Sequence, residues 1–485
     1  MENRRIPLKF DLIIFGFFLS LYLLICRGEF YAVDEMGRYG LTKTIAFERD
    51  LTVTRPNGTS SYIPWPILQS VLAVPLFALG GLTVSDGLIA KEQAGRLFVS
   101  FFNPIIGALN CVVFFRICLR MNYKVRSSLL STFVFGLCTI LLPYCRTFLS
   151  EPLTSLLLLT AVFLALSSSR EKPLPGIASG FFLALATANN YVAAVVFGLV
   201  FLYFVFEEGG IKDNLRLRTV ADVRLWTLVA FGCAAVLWVK WYDSLIYGSF
   251  IQSRLHLFKT APNALYQETR TGFSYPIFAG IYGFLLSAGD SIFVFSPPLL
   301  GALVVWPRFL KERRKPAMLC FSIALVYLLI HSKFGDWWGG YSWGPRFLVP
   351  VTGFMLIPFT YLIEDFSRLR AFGKISVITL CLLGFYVQLV ATLVLPVYGY
   401  VEMLKHLGGD SMELFMQYLP QACPVILQTR YLGAITSLSK TDLYFLKHID
   451  SHAVLLALAI VFVVWVVMAA LYLRALFSKS GDAVA

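Results

Sequence analysis

Apolar runs recur along the whole chain, and most approach the length that crosses a bilayer. A helix rises about 1.5 Å per residue, so about 20 apolar residues span a hydrocarbon core about 30 Å thick. Such runs fall near 10–26, 97–119, 129–144, 153–166, 175–187, 192–206, 225–246, 292–306, 317–331, 347–363, 375–396 and 453–476. At about 20 residues per crossing they use roughly 240 of the residues. Composition agrees: 58% of the residues are hydrophobic and 14% charged, with a mean hydropathy of +0.73. Soluble proteins carry about 25% charged residues, and no water-facing domain covers this much apolar surface. Disorder, a disulfide scaffold and a coiled coil are excluded on the same grounds. The expected fold is an all-α polytopic membrane protein with about twelve transmembrane helices.

Charge then sets the orientation. The 41 Lys+Arg against 28 Asp+Glu give +13. With both termini in the cytoplasm, the inner segments hold about 23 basic and 11 acidic residues and the outer ones about 18 and 17. The excess is a positive-inside signal, so no nucleic-acid partner is needed to explain it. Residues 64–82 are apolar but contain Pro64, Pro66, Pro75 and Gly80-Gly81. Reading them as a span would invert every later loop, so an interfacial or re-entrant helix is expected within a long first outer segment, 27–93. The basic N-terminus before 10–26 imitates a signal peptide, but no small-residue cleavage site comes after it, and a retained first helix is expected. The nine cysteines show no metal spacing; Cys145 and Cys423 are placed toward the outer side, with nothing to pair them.

Three outer stretches carry the unusual side chains. Asp34-Glu35-Met-Gly-Arg38 comes just after the first span, and on a helix Asp34 and Arg38 share a face, as do Glu35 and Arg38. A carboxylate beside a cation at a membrane surface suits a general base next to a phosphate; the plainer alternative is a helix cap with a surface ion pair. Ser150-Glu151-Pro152 sits where the chain re-enters the membrane, and an ionisable group there is a functional candidate, or else a carboxylate favoured by a helix N-terminus. Gly335-Asp-Trp-Trp-Gly-Gly-Tyr-Ser-Trp-Gly-Pro-Arg346 places Trp337, Trp338, Tyr341 and Trp343 on a glycine-rich loop, 332–346, suited to stacking on sugars or to an aromatic belt. Arg346 is placed to fork onto a phosphate, unless it pairs with a carboxylate such as Asp336. Lys333, Arg254 and Lys259 are further candidate phosphate ligands. Walker, HExxH and GxSxG motifs are absent from the sequence, so ATP-driven transport and common hydrolase chemistry have no support.

Taken together, the acidic pair outside the first helix, the long first outer loop, the second acid at a later outer turn and Trp-Trp-Gly-Gly-Tyr-Ser-Trp-Gly-Pro-Arg resemble the GT-C glycosyltransferases. The likeness is to their polyprenyl-phosphate-sugar-dependent branch, which includes protein mannosyltransferases and the lipid A aminoarabinose transferase. It covers the order of elements from Phe10 to about Ile363. The resemblance implies transfer of a sugar from a polyprenyl-phosphate donor to an acceptor hydroxyl of a lipid, glycan or protein. It places this reaction on the outer face of the cell membrane, with inversion. Asp34 matches the catalytic carboxylate of the first loop, Glu151 the second acidic position, and Glu35 is the neighbouring candidate. Arg38 lies four residues after Asp34, a longer spacing than in some members. A divalent cation serves only some branches, and no ligand cluster here decides for or against one. The expected division is a GT-C-like core over 1–396, then an outer loop and last helix over 397–485. The competing class is a secondary transporter or lipid-linked sugar flippase, which explains the hydropathy but not the crowding of acids and aromatics on one face; a non-catalytic assembly subunit is a third.

Overall fold

The computed structural model describes residues 8–54, 58–84, 87–206, 222–251, 272–340, 342–394, 417–432, 442–448 and 450–477. Helix α1 (Lys9–Leu24) is almost wholly apolar, and Asp11 in its first turn pairs with Arg116 of α5 (Phe102–Arg120). Helix α2 (Val33–Glu48) comes directly after α1. A hairpin of β1 (Thr52–Thr54) and β2 (Ser60–Tyr62), with Val53 opposite Ser61, leads into α3 (Leu68–Leu82). At 15 residues α3 is about 22 Å long, short of the hydrocarbon thickness, and it doubles back against α4 (Leu88–Ser100). The two come close enough that a Cβ on Gly80 would lie 2.5 Å from the Ala94 carbonyl oxygen. Helix α4 continues into α5 across Phe101, so the helix around the expected span 97–119 begins earlier, at Leu88.

Beyond α5 the chain forms α6 (Val125–Leu137), α7 (Leu141–Tyr144), α8 (Glu151–Ser167), α9 (Leu174–Asn189), α10 (Val195–Val205), α11 (Val223–Tyr247), α12 (Ile277–Leu286), α13 (Ile292–Phe295), α14 (Pro298–Glu312), α15 (Arg314–Lys333), α16 (Val349–Leu356), α17 (Thr360–Glu364), α18 (Ala371–Leu393), α19 (Pro424–Tyr431), α20 (Tyr444–Lys447) and α21 (His452–Phe477). Six helical stretches among the described residues are long and apolar enough to cross a membrane, and six shorter apolar helices accompany them. Large apolar side chains stay exposed on the rim, as on α18 and α21, where a lipid-facing surface requires them.

Helix α12 lies between the expected spans 225–246 and 292–306, where no span was expected; its ten residues fall below the length by which spans are recognised. Two expected spans are broken. The run 129–144 divides into α6 and α7, and 292–306 divides into α13 and α14. The breaks meet: Ile140 N–H donates to Ser296 Oγ (3.0 Å), and Gln388 Nε2 of α18 donates to the Phe295 carbonyl (2.6 Å). Neighbouring side chains thus satisfy backbone groups that lipid would leave bare.

The expected boundary at 396/397 falls outside the described residues. The C-terminal helices are tied to the core. Helix α21 packs on α1 with Met468 over Gly16, and Tyr472 hydroxyl donates to the Leu129 carbonyl (2.7 Å). Asp442, fully buried, is 2.6 Å from Arg27 Nε and 3.4 Å from Arg146 Nη2, while Arg146 also donates to the carbonyls of Ile25, Ala391 and Asp442. All nine cysteines are free, Cys145 and Cys423 buried among them.

Candidate active site

The site is assembled on helix ends. Asp34 lies in the first turn of α2 and Arg38 one turn later, on the same face. Glu151 opens α8, Asn189 closes α9, and His331 lies in the last turn of α15. Arg346 ends the aromatic loop. These residues line one cavity of about 540 Å³, together with Trp65, Ser150, Tyr191, Asp243, Asp336, Trp338 and Phe347.

Arg346 is the centre of its charge pattern. Its Nη2 donates to Asp34 Oδ2 at 2.8 Å, and its Nε lies 3.5 Å from Glu151 Oε1. Three segments separated by more than a hundred residues meet in this contact. Among the described residues the ion pairs of Arg346 go to Asp34 and Glu151 rather than to Asp336, the alternative considered for it. Glu151 is 3% exposed with Oε2 unbonded, whereas Asp34, with a side chain 20% exposed, reaches the cavity. Arg38 is held by donating to the Pro66 carbonyl (2.8 Å) and Ser150 Oγ (3.3 Å), beside Glu151. Gly339 permits the approach of Arg346: its φ is +77°, and a Cβ there would lie 2.7 Å from Arg346 Cδ.

Glu35 takes another place. Its carboxylate accepts from the backbone N–H of Tyr31 (3.0 Å), Ala32 (2.9 Å) and Phe148 (2.8 Å), and it is 1% exposed. It therefore caps α2 and ties it to the segment 146–150, outside the cavity. That segment is clamped further by side chains that sequence reading passed over. Gln69 donates to the Phe148 carbonyl (3.1 Å), Asn103 to those of Thr147 (2.8 Å) and Leu149 (2.9 Å), and Asn189 to that of Ser150 (3.0 Å). Their signal was present: an amide inside or at the end of an apolar run needs a partner. So was that of Asp243 and His331.

The aromatic loop divides. Trp338 lines the cavity, but Trp337 is turned away against Phe284 (5.3 Å between ring centres) and Gly283. Trp343 packs edge-on against Phe295 (5.3 Å), also outside the cavity. Both close the bundle rather than face a ligand. Lys333 is exposed beyond the cavity rim. Arg254, Lys259 and Tyr341 lie outside the described residues. Among the described residues no cluster of three or more His, Cys, Asp or Glu has the geometry to hold a metal ion.

No family model matches the chain, and no curated protein matches it. Solved structures do. ArnT from Cupriavidus metallidurans in the apo state aligns with a TM-score of 0.51 and 15% identity, covering 88% of this chain and 74% of that one. ArnT bound to undecaprenyl phosphate gives 0.50 and 13%, covering 88% and 76%. The Archaeoglobus fulgidus oligosaccharyltransferase in the apo form gives 0.49 and 13%, covering 79% and 55%. ArnT is a GT-C glycosyltransferase, and the fold of this chain is the GT-C fold.

Proposed function

We propose that this protein transfers a sugar from a polyprenyl-phosphate donor to an acceptor hydroxyl, on the outer face of the cell membrane and with inversion. The observation that carries the reading is the convergence of Asp34, Glu151 and Arg346 in one cavity at helix ends. Charges gathered at one end of the bundle suit interfacial chemistry; a carrier concentrates them near mid-depth. That ArnT, a protein of this fold, is seen with undecaprenyl phosphate supports a lipid phosphate as the donor's anchor.

In this reaction the acceptor oxygen attacks the anomeric carbon as the bond from that carbon to the phosphate oxygen breaks. The phosphate departs with the electron pair, and the acceptor's proton passes to Asp34. Arg346 and Arg38 offer cationic donors where negative charge grows on the phosphate. Glu151, 3.5 Å from Arg346 Nε, remains a second carboxylate beside the guanidinium when Asp34 lets it go. Phosphate binding to Arg346 thus frees the base at the moment an acceptor is needed.

The test is transfer by the purified protein in lipid discs, from a panel of polyprenyl-phosphate sugars to lipid, glycan and peptide acceptors. The reading expects inverted product from at least one donor, lost in Asp34→Asn. Donor movement across the bilayer without product would instead support the flippase alternative.

A further inference from the structure

Among the described residues His331 is the one buried imidazole on the cavity wall, and the transfer reaction leaves it unused. It is 5% exposed. Its Nδ1 lies 3.0 Å from the Tyr327 carbonyl oxygen, one turn earlier on α15. A carbonyl only accepts, so Nδ1 carries the proton, and in the neutral ring Nε2 is the atom with the lone pair. Nε2 has no hydrogen-bond partner among the described residues, and the residue lines the cavity. The ring is also fixed in orientation, stacked on Phe347 at 4.8 Å and 15° and tilted against Tyr327 at 5.6 Å.

Phe347 relates His331 to the phosphate position. The guanidinium carbon of Arg346 is 4.9 Å from the same phenyl ring centre, so imidazole and guanidinium are no more than about 10 Å apart. A sugar whose phosphate sits on Arg346 places its ring hydroxyls within that reach.

Resting on the transferase reading, we propose that His331 is a specificity-determining residue: its Nε2 accepts a hydrogen bond from one hydroxyl of the donor sugar. A fixed, buried acceptor discriminates strongly, because a donor lacking that hydroxyl leaves the acceptor bare in a desolvated site. Arg346 holds the phosphate that all such donors share; His331 reads the sugar.

The experiment uses the full-length protein in lipid discs, the donor that supports transfer, and analogues of it lacking one ring hydroxyl each. The wild-type protein should lose about 10- to 100-fold in kcat/KM on one analogue. His331→Phe, which keeps a ring but has no acceptor, should be slowed on the parent donor and lose nothing further on that analogue. His331→Gln, which returns an amide oxygen near Nε2, should recover part of the discrimination and guards against a folding defect in the Phe variant. Equal fold-losses across all analogues in wild type and in both variants would overturn the proposal. A wild-type protein that transfers no sugar overturns the transferase reading itself, which is a distinguishable result.

Discussion

At the scale of single residues, the ion pair between Arg346 and Asp34 makes a prediction of unusual sign. In the proposed reaction Asp34 competes with a donor phosphate for Arg346 Nη2, to which it is bonded here, so removing its charge relieves the competition. Asp34→Asn should bind polyprenyl phosphate at least as tightly as wild type while transfer falls by about a hundredfold or more. Arg346→Lys keeps a cation without the fork that meets Asp34 and Glu151 together, and Arg346→Ala removes both. Donor affinity should fall in that order, with a loss on the order of 1.5–3 kcal/mol for Ala. A double-mutant cycle should couple Arg346 to Asp34 and not to Asp336. Glu35 behaves differently: Glu35→Ala strands the buried Phe148 N–H and the part-buried N–H groups of Tyr31 and Ala32 and should cost about 3 kcal/mol of stability, read as a lower Tm. The sequence displays both acids of the Asp34-Glu35 pair, but neighbours on a helix point about 100° apart, and which one meets the cavity depends on the packing of α2. The same limit separates Trp338 from Trp337 and Trp343, since a glycine-rich loop carries no period from which to read a face.

At the scale of elements, hydropathy located the long helices because lipid demands long apolar runs, and this is why the long stretches from α11 to α21 stand close to their expected ranges, while α4–α5 begins nine residues early. It failed where the run is short or interrupted. Helix α12 has ten residues, and the breaks at 138–140 and at Ser296-Pro297 depend on Ser296 and Gln388 arriving from elsewhere in the chain. The clamp on 146–150 is likewise non-local. The aromatic loop offers a direct check on how an element places a charge. Gly339→Ala introduces a Cβ at φ +77°, against Arg346, so it carries about 1–2 kcal/mol of strain and displaces the guanidinium. It should lower kcat/KM at least about tenfold, whereas Gly340→Ala has a similar φ but open space and should do less. Equal effects of the two substitutions would show that backbone strain alone, and not the position of Arg346, governs activity.

At the scale of the whole molecule, a buried carboxylate is one of the ties that hold the last part of the chain to the first. Asp442 faces Arg27 and Arg146; burial outweighs the opposing pull of Asp442 and leaves the pKa of the Arg146 guanidinium lowered to about 10. Asp442→Ala leaves two buried cations opposed and should cost about 3–5 kcal/mol of stability, with donor affinity retained in protein that remains folded. Orientation is tested separately: reporters fused after Asn57 and after Ser480 should report opposite sides of the membrane, and a common side would contradict the positive-inside assignment. The most direct measurement takes wild-type and Asp34→Asn protein, each in lipid discs, and tracks polyprenyl-phosphate binding and single-turnover sugar transfer in the same samples. Undiminished binding with transfer reduced at least about a hundredfold is the expected result; transfer at the wild-type rate by Asp34→Asn would contradict the assignment of Asp34 as the base.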